Sequence, residues 1–213
     1  MKRSSGEIVR EYGPFPGVEN VGGVAYDGER VWFAAGHALK AFDPADGQAS
    51  LVIDIAAKAG TAFDGRHLFQ LTDGLIRKID PATGRVLATI PAPEGGMDSG
   101  LAWAEGTLWL GKYQDRKIHQ IDPETGSILR TIESNRFVTG VTWMDGELWH
   151  ATWERDESDL RRVDPQTGDV LETVEMPPGV SVSGLDSDGH GRFFCGGGRS
   201  GKVRAVRRRS KPA

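Results

Sequence analysis

Two side chains in the middle of the chain are of the types that move protons in enzymes. His150 and Glu154 lie four residues apart, and an imidazole with a carboxylate nearby can serve as general base and acid. We therefore take both as catalytic candidates. A histidine hydrogen-bonded within its own sheet is the competing interpretation of His150, and it is the one we favour.

A second possible chemistry is nucleophilic attack by a thiol. Cys195 is the only cysteine, and the glycine-rich stretch that follows it, 196–201, has backbone N–H groups that could bind an anion. No histidine accompanies it in the sequence, and the glycines fall where a hairpin turn is expected, so we predict an inert thiol. A single cysteine leaves no internal disulfide and fits the reducing cytoplasm.

Composition argues against several other classes of function. None of the five histidines has the spacing of a metal-ligand pair, so we predict no metal and no cofactor. No apolar run approaches the ~18 residues of a membrane span. The net charge is −4, although residues 202–213 hold six basic side chains and no acid. Because so acidic a body repels phosphate backbones, we predict no nucleic-acid partner, and we interpret 207–213 as a solvated basic tail.

The chain that carries these residues repeats itself about every 40 residues. An Asp-Pro pair followed by a glycine occurs at 43–47, 80–84, 122–126 and 164–168. In such a turn the Asp side chain caps the backbone, proline fixes φ and glycine supplies a positive φ. Each copy follows an acidic residue with a glycine after it, and a fifth such pair begins at Asp188. The pattern predicts a repeat architecture of short strands and tight turns.

The third unit shows what one repeat contains. Apolar residues at 101–103, 107–110, 118–121 and 127–132 predict four short strands. Four strands in about 40 residues are typical of one blade of a β-propeller. One position of the second strand is aromatic in every unit, and we interpret that position as packing between blades. Its residues are Trp32, Phe69, Trp109, Trp149 and Phe194.

The fifth unit lacks its last strand. It ends after a third strand at 202–206, whereas the segment 5–10 near the N-terminus has the pattern of the missing fourth strand. We predict that these two segments pair and close the ring, because closure satisfies an otherwise exposed sheet edge. The predicted fold is all-β: one domain over residues 1–213, a five-bladed β-propeller of four-stranded blades.

In a propeller, the loops before the first strand and after the second strand of each blade meet at one mouth, which is the expected ligand site. The loops after the second strand are longest in the third and fourth units, at 112–117 and 153–159, and loops on a rigid scaffold carry specificity. Besides Glu154, the ligand-binding residues predicted at the mouth are Glu19, Asn20, His37, Asp73, Asp98, Lys112, Tyr113, Arg136, Trp153, Arg155 and Arg199.

The stretch Gly146-Glu147-Leu148-Trp149-His150-Ala151-Thr152-Trp153 resembles the five-bladed plant and bacterial glutamine cyclotransferases. The matching blade of that family carries a glycine-glutamate-aliphatic-tryptophan motif with a second tryptophan four residues on. The Asp-Pro turns and the register of the repeats are similar too. The resemblance implies conversion of N-terminal glutamine into pyroglutamate, a reaction that needs a carboxylate to shuttle protons and donors for the oxyanion.

Two acidic motifs of that family are absent here. Phe33 stands where the family has a glutamate in the second strand of the first blade. Residues 139–142, Thr-Gly-Val-Thr, replace an asparagine-glutamate-leucine-glutamate motif. These departures favour the same fold in another role.

Three functions therefore stay open. The first is a monomer that binds or transforms a small polar molecule or a peptide at the mouth. The second is a non-catalytic interaction module in which Trp153, Tyr113 and Phe137 anchor a protein partner. The third is cyclotransferase activity retained through Glu154 or Asp98.

Overall fold

The chain is built from strands alone in the part that the structure describes. A computed structural model describes residues 2–209, which form twenty β-strands. None of these residues forms a helix that is long and apolar enough to cross a membrane. Most of the predicted basic tail at 207–213 lies outside the described residues.

Twelve of the strands form three four-stranded antiparallel sheets in chain order. The first sheet contains β2 (Val24–Tyr26), β3 (Val31–Ala34), β4 (Leu39–Phe42) and β5 (Ala49–Ile53). The second contains β6 (Thr61–Phe63), β7 (Leu68–Thr72), β8 (Leu75–Ile79) and β9 (Val86–Pro91). The third contains β10 (Asp98–Ala104), β11 (Thr107–Lys112), β12 (Lys117–Ile121) and β13 (Ile128–Glu133).

The other eight strands form one sheet in the order β14-β15-β16-β17-β1-β20-β19-β18. Its first half follows the chain through β14 (Phe137–Met144), β15 (Glu147–Glu154), β16 (Glu157–Val163) and β17 (Val170–Glu175). Its second half contains β18 (Gly184–Ser187), β19 (Arg192–Gly196), β20 (Val203–Arg209) and β1 (Lys2–Tyr12). The arrangement of the sheets is that of a β-propeller.

The strand β1 joins the two halves of the large sheet. It pairs antiparallel with β20, from Ser5↔Arg209 to Tyr12↔Val203, as expected for the segment 5–10. Its first residues also pair in parallel with β17, from Lys2↔Glu172 to Ser5↔Glu175. The sequence pattern did not predict this second pairing, which extends β1 beyond the repeat.

The first strand of each unit lies against the first strand of the next unit, and their backbones are in direct contact. The strands β2, β6, β10, β14 and β18 each contact the next, and β18 contacts β2 in turn. A glycine lies at each approach, at Gly23, Gly60, Gly100, Gly140 and Gly184. A Cβ atom added at Gly100 would lie 2.4 Å from the backbone nitrogen of Val141, and one at Gly184 would lie 2.3 Å from the carbonyl oxygen of Gly22. Only glycine allows this approach.

The Asp-Pro turns have the geometry that the sequence predicts. In the third unit, Gly126 has φ +74° and its N–H donates to the carbonyl of Asp122 at 2.9 Å. The Asp122 carboxylate accepts the N–H of Glu124, also at 2.9 Å. These hydrogen bonds explain why an aspartate occurs at the start of each Asp-Pro turn.

The repeated aromatic position packs between sheets, as interpreted from the sequence. All five residues at this position are at most 1% exposed. Trp109 shares a buried cluster with Leu148 and Val163 of the next unit, and its ring lies 5.5 Å from that of Trp143. These side chains hold neighbouring sheets together and are not available to stack on a ligand.

Candidate functional site

Two of the predicted ligand-binding residues form a buried ion pair. Lys112 is 1% exposed, and its Nζ lies 2.8 Å from Asp98 Oδ1. The same ammonium donates to the carbonyls of Pro93 and Glu94, at 3.3 and 3.2 Å. This network fixes the loop before β10 against the end of β11. Loss of either charge would leave the other buried and uncompensated.

The catalytic candidate His150 is buried within the fourth unit. It is 1% exposed and lies between Val141 and Arg161 in the ladders of β15. Burial, and then the Arg161 guanidinium, lower the pKa of the imidazole to about 4, so it is neutral near pH 7. Its Nδ1 has no hydrogen-bond partner among the described residues. A side chain buried in this way is not accessible to a ligand.

Five other predicted residues are exposed on loops of the first, second and fifth units and line none of the cavities described below. One of them, Asp73, forms an exposed ion pair with Lys58 at 2.9 Å. Its pKa is lowered, chiefly by the hydrogen bond from that ammonium. The five residues are Glu19, Asn20, His37, Asp73 and Arg199.

The structure brings three of the predicted residues together around the β15–β16 hairpin. Arg136, Glu154 and Arg155 line a cavity of ≈ 350 Å³, together with Arg116 and Glu157. Asn135 also lines it. Arg116 lies in the predicted long loop 112–117, and Glu154, Arg155 and Glu157 lie in the other, 153–159, so these two loops meet here. Arg136 comes from the short loop before β14.

A second cavity of ≈ 960 Å³ continues from the first. The two share Asn135, Arg136, Arg155 and Glu157, and the larger one extends past Arg161 to strands β17 and β1. We call the two together the hairpin groove. Its length along the fourth unit makes it an elongated cleft and not a closed pocket.

Arg136 is held rigidly at the junction of the two cavities. Its Nη1 donates to Asp159 Oδ2 at 2.9 Å, and its Nη2 donates to the carbonyls of Glu154 and Glu157 at 3.0 and 2.9 Å. Asp159 is 5% exposed and also accepts from Arg161 Nε at 2.8 Å. One buried carboxylate thus orients two guanidinium groups. The Arg136 Nε has no hydrogen-bond partner among residues 2–209.

The turn of the hairpin presents three exposed charges. Arg155 and Asp156 have φ of +50° and +64°, which turns the chain sharply before Glu157. No hydrogen bond or ion pair of these three side chains is present within the described part of the chain. Since they are not engaged in the fold, they are free to contact a ligand.

An aromatic pair borders the groove on the side of the third unit. The rings of Tyr113 and Phe137 stack at 4.9 Å, and the Arg116 guanidinium lies 4.5 Å above the Phe137 ring. Arg116 also lies 3.3 Å from a carboxylate oxygen of Glu154. Trp153 is half-buried and lies opposite Phe137 in the β14–β15 ladder.

Sequence reasoning missed several groove residues, among them Arg116, Asn135, Glu157, Asp159 and Arg161. Arg116 lies within the loop 112–117 that was singled out by its length, so its charge was the available signal. Arg161 faces Asp159 because both side chains lie on the same face of β16. The described residues contain no group of three or more His, Cys, Asp or Glu side chains that could hold a metal ion.

Comparison with known proteins adds a structural likeness. No protein-family profile matches the chain, and no curated protein matches its sequence. Among solved structures, the glutaminyl cyclase of Myxococcus xanthus is similar over 99% of both chains, with a TM-score of 0.79 and 20% identity. The fold is a glutaminyl cyclase-like β-propeller.

Two other propellers are similar to this chain with lower TM-scores. The WD40 β-propeller domain of Doa1 has a TM-score of 0.56 and 16% identity, over 86% of this chain and 62% of that one. A chain of the mitotic checkpoint complex has a TM-score of 0.59 and 11% identity, over 97% and 93% of the two chains. At these identities the likeness concerns the fold alone.

Proposed function

We propose that this glutaminyl cyclase-like propeller recognises a short polar ligand of mixed charge, best represented by a peptide segment, in the hairpin groove. The observation that carries the proposal is the continuity of the two cavities through Arg136. A cleft of this size accepts several residues of an extended chain, since ligand sites commonly measure 300–1,000 Å³.

The charges of the groove favour a ligand that carries both signs. Five arginines and five acidic residues line it, so its formal charges balance. These residues are Arg3, Arg116, Arg136, Arg155 and Arg161, with Glu154, Asp156, Glu157, Asp159 and Glu175. Complementary charge on a partner adds specificity and speeds encounter more than it adds affinity. A peptide supplies both signs, together with backbone groups that can use the Arg136 Nε–H.

Binding is favoured over catalysis because the groove holds no free acid–base pair. His150 is buried and neutral, and the Glu154 carboxylate lies beside the Arg116 guanidinium. Cyclotransferase activity is the second candidate, and the likeness to the Myxococcus xanthus enzyme is the observation that favours it. Incubation with a peptide that begins with glutamine tests this candidate, and a rate equal to that in buffer would exclude it.

The binding proposal is tested with tripeptides that combine lysine and glutamate, by thermal shift and isothermal titration calorimetry. We expect Arg155→Ala to weaken binding about tenfold, because a charge-assisted contact is lost while the fold is untouched. Arg66→Ala is the matched control, since Arg66 is equally exposed in a hairpin turn of the second unit. Equal binding by both variants, or no tripeptide that raises the melting temperature, would contradict the proposal.

We also infer that the ring has five blades in one domain. The cycle of five first strands supports this count, and so do the five glycines at their approaches. The eight-stranded sheet then represents two blades joined by β1. Under this proposal the protein is a monomer. Protein interaction through Tyr113, Phe137 and Trp153 remains the alternative use of the same face.

A further inference from the structure

A separate cavity of ≈ 290 Å³ lies where β1 meets the end of β20, away from the hairpin groove. Lys2 and Ser4 of β1, Glu172 of β17, and Arg207 and Arg208 of β20 line it. The described part of the basic segment 202–213 therefore contributes to a defined site. Neither the fold nor the proposed groove uses this site.

Cations outnumber acids at this site. Glu172 is 1% exposed, and its carboxylate lies 3.3 Å from Arg208, 3.7 Å from Arg162 and 3.8 Å from Lys2. Arg207 borders the cavity from β20, but it pairs with Glu7 whereas Arg208 pairs with Gly6, so the register turns its side chain to the opposite face of the sheet. The single acid is thus more than compensated, and the excess positive charge favours an anion.

Two buried polar atoms at the same site have unused hydrogen-bonding capacity. Ser4 is 2% exposed and its Oγ has no partner in the described residues, and the same holds for Glu172 Oε1. Buried polar groups are rarely left unpaired, because each one costs free energy. A group that satisfies both atoms must accept a hydrogen bond from the hydroxyl and donate one to the carboxylate.

We propose that this cavity binds a phosphate group that retains one proton. The unprotonated oxygens accept from Ser4, Lys2 and Arg208, and the P–OH group donates to Glu172. Sulfate has the same shape but no proton to donate near neutral pH, so the Glu172 carboxylate repels it. The buried acid therefore acts as a selector between two similar anions.

The test is calorimetric titration of the full chain with inorganic phosphate and with sulfate at about pH 6, where phosphate retains a proton. We expect phosphate to bind about tenfold more tightly than sulfate, because sulfate meets a buried carboxylate without a donor. Glu172→Gln supplies an amide donor and should abolish the preference. Lys2→Gln should weaken the binding of both anions, whereas Arg66→Gln should change neither.

Equal affinity for phosphate and sulfate in the unsubstituted protein would overturn the proposal, and so would Lys2→Gln binding phosphate as the unsubstituted protein does. Both outcomes can be read even if Glu172→Gln fails to fold. The source of the phosphate is distinguished by competition. Glycerol phosphate that displaces inorganic phosphate identifies a soluble monoester, and co-sedimentation with phosphatidic acid vesicles identifies a lipid headgroup. If neither competes, the ligand is free phosphate.

Discussion

The Thr142 hydroxyl donates a 2.6 Å hydrogen bond to Asp186 Oδ1 and so joins the neighbouring strands β14 and β18. The other carboxylate oxygen accepts the backbone N–H of Tyr26 in β2, also at 2.6 Å. One carboxyl group therefore ties three of the first strands together. Burial raises the pKa of Asp186 from 3.8 to about 6, against the effect of these hydrogen bonds.

This pKa predicts a loss of stability as the pH rises from about 4 to about 6. The native state then binds more protons at Asp186 than the unfolded state does, so the free energy of unfolding falls across this window. Asp186→Asn keeps an acceptor for Tyr26 and removes the titration. The free energy of unfolding is measured with urea at a series of pH values. Between pH 4 and 6 we expect it to fall in the unsubstituted protein relative to the variant, so the difference between the two changes in favour of Asp186→Asn. Parallel pH profiles would contradict this account.

The two faces of β1 should respond differently to the same substitution. Ile8 packs against the buried cluster that contains Met176 and Val206, whereas Val9 is 41% exposed. We expect Ile8→Asp to lower the free energy of unfolding by about 2–4 kcal/mol, because it places a charge against an apolar cluster. Val9→Asp is the control and should leave the melting temperature nearly unchanged. Similar melting temperatures for both variants would show that β1 does not close the sheet as described.

The ring of glycines should not tolerate a methyl group. In Gly100→Ala the new Cβ would lie 2.4 Å from the backbone nitrogen of Val141, so backbone must move. In Gly6→Ala the nearest atoms are side-chain atoms of Met176 and Val206, both at 3.2 Å, and these can adjust. We expect Gly100→Ala to melt well below Gly6→Ala in calorimetry. The reverse order would mean that the first strands are not in backbone contact.

The repeated tryptophans differ in how their indole N–H groups are satisfied. Trp32 Nε1 donates to Asp27 Oδ2 at 2.6 Å, whereas Trp109 Nε1 is buried and has no partner in the described residues. Replacement by phenylalanine creates a similar void in each case. We expect Trp32→Phe to cost about 1–2 kcal/mol more than Trp109→Phe, because only the first breaks a hydrogen bond to a carboxylate. Equal losses on urea unfolding would show that this bond contributes nothing.

The single cysteine should be unreactive in the native protein. Cys195 is 1% exposed, and burial raises the pKa of its thiol to about 12. Reaction needs the thiolate, so a thiol reagent at about pH 8 should label the chain only after denaturation. Rapid labelling of the native protein would show that β19 opens.

The repeats made most of the fold predictable, because turn chemistry and strand alternation are local properties. The Asp-Pro turns and the strands of the third unit lie where the pattern places them. The parallel pairing of Lys2–Ser5 with β17 was not predictable, since it depends on the edge beside which the chain end comes to lie. Only the three-dimensional arrangement shows this.

Loop length indicated better than residue type which of the predicted residues the structure brings together. The long loop 153–159 holds Glu154 and Arg155, and the loop before β14 brings Arg136 beside them, because the repeat fixes the position of both loops on the scaffold. Lys112 and His150 have suitable chemistry, but strand register turns both side chains into the interior. Both faces of β15 are covered, since Trp149 and His150 are each at most 1% exposed, and the alternation of side chains along one strand does not reveal that neighbouring sheets cover both faces.

The pairing of Ser5 with Arg209 also constrains the order in which the protein folds. The strands β1 and β20 lie almost the whole described chain apart, so the eight-stranded sheet cannot be completed until β20 has been synthesised. Contacts between such distant segments form slowly, and the unpaired edge of β1 is exposed in the meantime. Until β20 pairs with it, that edge can pair with another chain instead, so β1 is the segment through which an incompletely folded protein would aggregate.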